Sequence, residues 1–340
     1  MTVAQDTSVG SDRDLLSSGQ AWLYDTIVSA SHTQFVGVLA AIVVVLLALP
    51  LVLNSYLVQV LFTVFLFTGL AFGWNFMSGF TGYVDFGYAG FIGFGAYLTV
   101  ISIVDFGFPW PLALLTAMGV TALVGTAISV PMLRLRGAYF AIAMLAAATA
   151  AQLLASSSYL RPITRGGSGI SFFPELGLTG QYYLALTIVL ILGYVTYRIA
   201  NAPFGLRLLA IRDDETLAAS LGVKTVREKI LGMLLHTAVA GLLGGVLAFN
   251  LSYIDPNSVF NIQYTEFPIV MVLFGGLGTV LGPVIGGVIF VVLYEVLWST
   301  FPQAYQFLFG AAIVAVVLFM PEGIVEYLKD NEYIPRWRSL

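Results

Sequence analysis

The sequence predicts an all-α protein that crosses a membrane about ten times. Hydrophobic residues make up 59% of the 340 residues and charged residues only 9%, whereas a soluble domain carries about 25% charged residues. Helices that are apolar on every side are buried either in protein or in lipid. Because the chain contains ten such segments, lipid is the surrounding that fits them.

The apolar runs give the elements in order. A membrane-crossing helix needs about 20 mainly apolar residues, and the predicted spans are 35–53, 57–76, 86–104, 111–130, 138–155, 182–199, 230–251, 268–281, 284–299 and 304–320. The run 268–281 opens with Pro268, which suits the first turn of a helix, and is short. We interpret it as a half-helix and count it as one crossing.

Basic residues in short loops predict the orientation, because such loops tend to stay cytoplasmic. Arg134 and Arg136 mark one such loop, and two further basic stretches lie at 198–229 and in the tail after residue 328. Both chain ends are therefore predicted to be cytoplasmic, with 161–165 and 253–266 outside. The domain organisation is an acidic tail (1–34), a transmembrane domain (35–322) with a cytoplasmic segment (200–229), and a cytoplasmic tail (323–340).

The polar stretch in the middle of the chain has a helical pattern. Asp213 or Asp214 can cap a short helix whose Leu217 and Leu221 lie on one face, and Gly222 follows it in the position that glycine favours. Thr225 and Glu228 have the spacing of a capping box at the start of the next apolar run. The sequence thus predicts a short cytoplasmic helix between two crossings.

Several function classes lack the residues that they require. The chain has no cysteine and only two histidines, His32 and His236, so a metal site is not expected. It has no phosphate-binding loop, no H-E-x-x-H and no G-x-S-x-G motif, and its net charge of −4 does not suit a nucleic-acid surface. We expect a chain without a catalytic site and without a cofactor of its own, and the acidic start does not resemble a cleavable signal peptide.

Glycines form two clusters, at 79–95 and at 275–287. At an offset of 196 residues, three glycines of the first cluster match three of the second: Gly79, Gly82 and Gly90 match Gly275, Gly278 and Gly286. One interpretation is close helix packing. The other is a pair of broken helices around a pathway in a protein built from two pseudo-repeats.

Asp85 is the strongest candidate for a functional charge within the membrane, because buried charges in apolar segments are costly. Hydrogen-bonding side chains surround it in the sequence: Asn75, Ser78, Thr81, Tyr83 and Tyr88. They could line a polar path or satisfy one another at a helix end. The candidate pathway residues are Asn75, Gly79, Thr81, Gly82, Asp85, Tyr88, Gly275, Gly276 and Gly278.

From about residue 57 to residue 324 the chain resembles the permease subunits of branched-chain amino acid ABC transporters, specifically the LivM type. The segments that carry the resemblance, in the order in which the family has them, are 79–82, 90–97, 135–142, 164–170, 203–207, 210–215, 218–222 and 275–283. The resemblance implies a membrane subunit that pairs with a second, related permease, two cytoplasmic ATPase subunits and an external solute-binding protein.

Within this resemblance, residues 212–222 look like the coupling helix that docks in a groove of the ATPase. The chain departs from the commonest form of the motif because Thr216 and Leu217 separate Glu215 from the two alanines. The candidate coupling residues are Arg207, Arg212, Asp213, Asp214, Glu215, Leu217, Ala218, Ala219, Leu221 and Gly222. Leu217 and Leu221 would enter the groove.

Two alternatives stay open at this point, and a further class, a membrane-embedded enzyme, lacks a catalytic set of residues in this sequence. Urea and short-chain amide permeases resemble the same family, so the solute is not fixed by the resemblance. A self-contained secondary carrier or channel would be expected to contain several buried acids, and only Asp85 qualifies among the residues of the predicted spans.

Overall fold

The computed structural model describes residues 32–301 and, beyond them, residues 303–304, 307, 310–311, 314 and 323–325. The acidic tail 1–34 therefore lies almost entirely outside the described residues, as do most of the predicted span 304–320 and of the tail 323–340. All statements below concern the described part of the chain.

Helices dominate the fold. The long ones are α1 (His32–Val52), α2 (Ser55–Trp74), α3 (Tyr88–Val104), α4 (Trp110–Ser129), α5 (Ala138–Ser156), α7 (Leu178–Ala200), α10 (Thr225–Leu251), α12 (Gln263–Gly275) and α13 (Gly282–Thr300). Shorter helices are α6 (Arg161–Thr164), α8 (Pro203–Asp213), α9 (Glu215–Ser220) and α11 (Pro256–Val259). A π-helical turn, Asn75–Gly79, continues α2, and 3₁₀ turns occur at Met132–Arg134 and Gly166–Ser168.

Six of these segments are long and apolar enough to cross a membrane: Ser55–Gly79, Trp110–Ser129, Ala138–Ser156, Leu178–Ala200, Thr225–Leu251 and Gly282–Thr300. They coincide with six predicted spans. The predicted span 86–104 forms the shorter apolar helix α3, and Ala41–Val52 is also short and apolar. The chain is thus an all-α protein that passes through the membrane several times.

The predicted half-helix at 268–281 begins and ends earlier than expected. The prediction that Pro268 opens it is wrong, because α12 begins at Gln263 and contains Pro268 in its interior. The Asn261 side chain accepts a hydrogen bond from the Gln263 backbone N–H, which turns the chain into the helix before the proline. The helix ends at Gly275 because Gly276 takes a φ of 129° that continues no helix.

The two ends of the bundle differ in chemistry. The basic end contains Arg134, Arg136, α8 and α9. At the opposite, sheet end, strand β1 (Ile170–Ser171) pairs antiparallel with β2 (Tyr253–Ile254), Ile170 opposite Ile254. The ion pair between Arg165 and Asp105 lies at this end too, with 3.1 Å between its nitrogen and oxygen.

Helix α10 lies in the middle of the core, and small residues allow its close packing. About two thirds of its apolar length is buried inside the chain (67%). A Cβ on Gly241 would stand 2.6 Å from the Ala117 carbonyl oxygen of α4, and a Cβ on Gly244 would collide with the backbone of Ile92 in α3. Such close backbone approach is how helices associate in lipid, where burial in itself supplies no driving force.

Helix α5, in contrast to α10, is only weakly buried. It is as apolar as its neighbours, but only 17% of its spanning length is buried within the chain. Phe140, Met144 and Ala155 are the residues that it buries. Most of its surface therefore faces lipid or another protein.

Candidate functional site

The predicted short helix at the basic end exists as α9, and its predicted start and end are confirmed. Asp214 is the cap: its Oδ1 accepts hydrogen bonds from the backbone N–H groups of Thr216 (2.8 Å) and Leu217 (2.9 Å). Gly222 follows the helix with a φ of 89°, which only glycine adopts without strain. Leu217 and Leu221 are 58% and 77% exposed, so α9 presents an apolar surface outside the bundle.

The predicted capping box at the start of α10 is wrong. Thr225 makes no side-chain cap, and Glu228 binds the guanidinium of Arg207 on α8 instead, with 2.9 Å between Nε and Oε1. Both groups of this pair are charged, so the guanidinium competes successfully with the neutral backbone N–H groups for the Glu228 carboxylate. Arg207, a candidate coupling residue, thus joins α8 to α10.

Glu215 joins α9 to the core through a cluster of polar groups. Lys229 donates to Glu215 Oε1 (2.7 Å), to the Tyr83 hydroxyl (2.9 Å) and to the Leu133 carbonyl (3.1 Å). The Tyr83 hydroxyl donates to Glu215 Oε2 (2.6 Å). We call Tyr83, Glu215 and Lys229 the anchor cluster, and Lys229 is almost fully buried within it.

Electrostatics favour the ionised anchor. Burial alone would raise the pKa of Glu215, but the hydrogen bonds from Lys229 and Tyr83 and the charges of Lys229 and Arg136 outweigh it, so the pKa is lowered. Because the charged carboxylate is favoured in the folded chain, the cluster is complete at neutral pH. It holds α9 against α10 and against the loop after α2.

Arg212 links the same polar segment to both glycine clusters. Its Nη1 donates to the carbonyl oxygen of Gly79 (3.0 Å) and to that of Leu277 (3.1 Å). Gly79 ends the π turn after α2, and Leu277 lies in the loop after α12. One cation therefore contacts a carbonyl at the end of the α2 segment and a carbonyl in the loop that follows α12.

Asn75 closes the same junction from the membrane side. Its Nδ2 donates to the Thr279 carbonyl (3.0 Å), and its Oδ1 accepts from the Gly278 N–H (2.9 Å). A Cβ on Gly79 would collide with the Asn75 amide, and one on Gly278 would stand 2.9 Å from the Gly79 oxygen. The two glycine clusters, far apart in sequence, therefore meet here. We call Asn75, Gly79, Arg212 and Gly278 the glycine junction.

Asp85 lies deeper in the bundle and pairs with His236 of α10, both fully buried. His236 Nε2 is 2.7 Å from Asp85 Oδ2, and Nδ1 is 3.0 Å from the Gly73 carbonyl oxygen. The carbonyl can only accept, so Nδ1 donates, and a second hydrogen must lie between Nε2 and the carboxyl group. The pair thus holds one proton more than a neutral imidazole beside an ionised carboxylate.

The loop 82–87 connects these features. The backbone N–H of Gly87 donates to Asp85 Oδ1 (2.6 Å), and the backbone N–H of Asp85 donates to Ser78 Oγ (3.1 Å). Tyr83 of the same loop belongs to the anchor cluster. One loop of six residues therefore contains the buried acid Asp85 and also reaches the polar groups at the basic end.

The comparison with known proteins decides the family. Residues 56–317 match the family model described as the branched-chain amino acid transport system permease component. The chain belongs to this family. It is an integral membrane permease, as its resemblance and its apolar helices indicated.

Individual relatives agree. The permease is 26% identical over 318 residues to the high-affinity branched-chain amino acid transport system permease protein LivM of Salmonella typhimurium, covering 84% of this chain and 74% of that protein. LivM of Escherichia coli gives the same values. A probable LivM protein of Methanocaldococcus jannaschii is 29% identical over 174 residues, about half of each chain. No solved structure matches the permease significantly.

The predicted pathway residues of the permease fall into three groups. Asn75, Gly79 and Gly278 form the glycine junction, while Asp85 and Tyr88 lie around His236, whose ring centre is 4.4 Å from that of Tyr88. The rest lie nearby: Thr81 donates to the Met77 carbonyl, Gly82 lies against Arg212, Gly275 packs on Gly282, and Gly276 lies beside Gly323.

The coupling residues of the permease also separate by location. The exposed ones include Asp213, Asp214, Ala219 and the two leucines. Ala218 lies on the buried side of α9, and Glu215 belongs to the anchor cluster. Sequence reasoning missed Glu228, Lys229 and His236 as partners. A signal exists for His236, since it is an ionisable residue inside an apolar run.

Proposed function

We propose that this permease is one half of the membrane pore of an ABC importer for branched-chain or other small amino acids. It would pair with a second related permease and two cytoplasmic ATPase subunits, and receive its solute from an extracytoplasmic binding protein. The branched-chain amino acid transport named for the relatives supports the solute class, and the observation that carries the proposal is the exposed apolar face of α9.

The geometry supports a role of α9 in transmission. Leu217 and Leu221 are available to a partner, while the opposite side of the same helix is held by the anchor cluster. Arg212, next to α9, contacts the ends of two broken helices at the glycine junction. A force on α9 would therefore reach the loop 82–87 and the loop 276–281 through hydrogen bonds rather than through flexible chain.

Energy input would then shift the equilibrium between inward-facing and outward-facing arrangements. The chain itself would contribute geometry, with no catalytic site and no cofactor, and the ATPase subunits would hydrolyse ATP. In this proposal the basic end lies in the cytoplasm, in agreement with the preference of Lys and Arg for that side.

We also propose ten crossings with both chain ends in the cytoplasm. Two contacts support the directions of the helices. The Tyr182 hydroxyl, near the start of α7, donates to the Leu46 carbonyl near the end of α1, and the Tyr56 hydroxyl at the start of α2 donates to Glu295 of α13. With 304–320 as the last crossing, α3 and α12 count as short ones. The matching glycine clusters support two pseudo-repeats.

Leu217→Asp tests the proposal. In the permease assembled with its neighbouring subunits, we expect ATP hydrolysis to be stimulated only when the binding protein and its solute are both present. Leu217→Asp should abolish this stimulation while membrane insertion stays intact, because a charge cannot enter an apolar groove without a partner.

Leu217→Met is the matched control, since it keeps the apolar surface, and it should retain the stimulation. An unchanged rate in Leu217→Asp would contradict the assignment of α9 as the coupling helix.

A further inference from the structure

A cleft of about 320 Å3 opens between α5, the start of α3 and the turn that joins α11 to α12. Ligand sites in proteins occupy about 300 to 1,000 Å3, so the size suits a small molecule. The cleft begins near the sheet end, where Asn257 and Asn261 lie, and reaches down to Phe86 and Ala89. It is separate from the glycine junction and from the anchor cluster.

The polar lining has hydrogen-bond capacity left over. Gln152 Nε2 donates to Asn257 Oδ1 (3.2 Å). Asn261 Oδ1 accepts from the Gln263 backbone N–H at the start of α12. Among the described residues, the side-chain amide nitrogens of Asn257 and Asn261 and the side-chain oxygen of Gln152 have no hydrogen-bond partner. Thr149 donates to its own helix (2.9 Å) and can still accept. The cleft thus offers donors for a carboxylate and acceptors for an ammonium group.

Apart from Thr265, whose hydroxyl accepts a hydrogen bond from the Ala89 N–H (2.8 Å), the remaining lining is apolar. Leu145 and Phe260 line the walls and Phe86 the inner part of the cleft, and no charged side chain lines it in the part of the chain that the structure describes. A charged solute side chain would be desolvated there without a partner. An aliphatic side chain would instead gain from leaving water.

We propose that this cleft is the subsite at which the permease receives a free amino acid with an aliphatic side chain. The proposal rests on the proposed function, because it places the solute of that function on named residues. The α-carboxylate and α-ammonium groups contact Thr149, Gln152, Asn257 and Asn261. The side chain lies toward Phe86 and Leu145.

The surroundings of the cleft agree with such a role. Phe86 belongs to the loop 82–87, whose Tyr83 is held by Glu215 and whose Asp85 is held by His236. The inner part of the cleft is therefore formed by the segment that the basic end can move. The weakly buried α5 forms one wall, so a second permease subunit can close the open side and complete the site.

Substrate protection of single cysteines tests the proposal, because the permease has no cysteine of its own. Thr149→Cys lies in the cleft, and Ala150→Cys is exposed on the same helix outside it. The whole importer is reconstituted in liposomes, a small thiol reagent is added, and labelling of the permease chain is followed at increasing L-leucine. L-glutamate serves as the comparison solute.

We expect L-leucine to slow the labelling of Thr149→Cys several-fold, L-glutamate to have no effect, and Ala150→Cys to react equally with and without either solute. Adding Gln152→Met to Thr149→Cys removes an acceptor at similar size. It should raise the L-leucine concentration for half protection about tenfold, the effect of one lost hydrogen bond to a charged group.

The other possible outcomes contradict either the inference alone or the proposed function as well. If solute-stimulated ATP hydrolysis is intact but L-leucine protects neither position, or both equally, the cleft is not the subsite and the proposed function stands. A Thr149→Cys that never reacts, either in the resting importer or during ATP hydrolysis, would mean that protein covers the cleft throughout the transport cycle, which overturns the inference as well. If the parent importer shows no solute-stimulated hydrolysis, the proposed function fails, and the inference fails with it.

Discussion

At the scale of residues, most of the contacts that could not be predicted from the sequence are polar pairs between residues far apart in the chain. Asp214 and Gly222 were predictable because a cap and a positive φ are local properties of the chain. Glu228 was not, because its partner Arg207 lies 21 residues earlier and a local capping rule cannot see it. Asp85 and His236 are 151 residues apart, so only folding shows that they meet.

Arg212→Ala should uncouple the permease more than it destabilises it. Arg212 is exposed, so the loss of its two bonds should cost roughly 1 kcal/mol of unfolding free energy. The link from the end of α8, next to α9, to Gly79 and Leu277 would nevertheless be gone. We expect ATP hydrolysis to continue with less solute moved per ATP, measured as uptake and phosphate release in the same liposomes.

The control is Arg227→Ala, which removes the same charge from the same end. Arg227 has no hydrogen-bond or ion-pair partner in the described part of the chain. If both variants lowered the amount of solute moved per ATP hydrolysed equally, net charge, and not the glycine junction, would explain the result.

The proton count of the buried pair makes a second prediction. Asp85→Asn should be tolerated, because its amide can donate to a neutral His236 while its oxygen still accepts from Gly87. Asp85→Leu leaves Nε2 of His236 without a partner in a buried site and should cost about 3 kcal/mol of unfolding free energy. Thermal unfolding in detergent measures both, and an Asp85→Asn as unstable as Asp85→Leu would refute the assigned hydrogens.

At the scale of elements, apolar length predicts the long helices well and the broken ones poorly. The six long spans follow from composition alone. The start of α12 depends on Asn261 before it, and its end depends on Gly276 after it. The length of a hydrophobic run gives neither boundary. The half-helix was foreseeable from its length, whereas its contact with the end of α2 was not.

The packing of α10 gives an element-scale prediction. Gly241→Ala places a methyl group 2.6 Å from the Ala117 carbonyl oxygen and from the Thr121 Cβ, so α10 and α4 must separate. We expect a loss of about 1–3 kcal/mol in unfolding free energy, seen as a lower thermal midpoint in detergent.

Gly119→Ala in α4 is the matched control, because nothing lies within 4 Å of its Cβ position. It should be neutral or slightly stabilising, since alanine favours helices more than glycine does. Equal losses for the two variants would show that glycine flexibility, rather than close packing, matters in these helices.

At the scale of the whole molecule, the fold class, membrane location and family were all predictable from the sequence. Composition alone required lipid, and the order of short motifs pointed to the permease family before any contact was known. The arrangement of the site was not predictable, because the glycine junction, the anchor cluster and the cleft each combine segments that are distant in sequence. The glycine junction and the anchor cluster both lie at the basic end, where they connect the ends of α2 and α12 to α8 and α9.

The side of the membrane on which α9 lies is the central claim, and cysteine accessibility measures it directly. Val226→Cys, at the basic end, and Tyr159→Cys, at the sheet end, replace residues that are 61% and 93% exposed. In intact cells, a membrane-impermeant maleimide should label Tyr159→Cys, and it should label Val226→Cys only after the membrane is permeabilised. Labelling of Val226→Cys in intact cells would place α9 on the side without ATP and contradict the account.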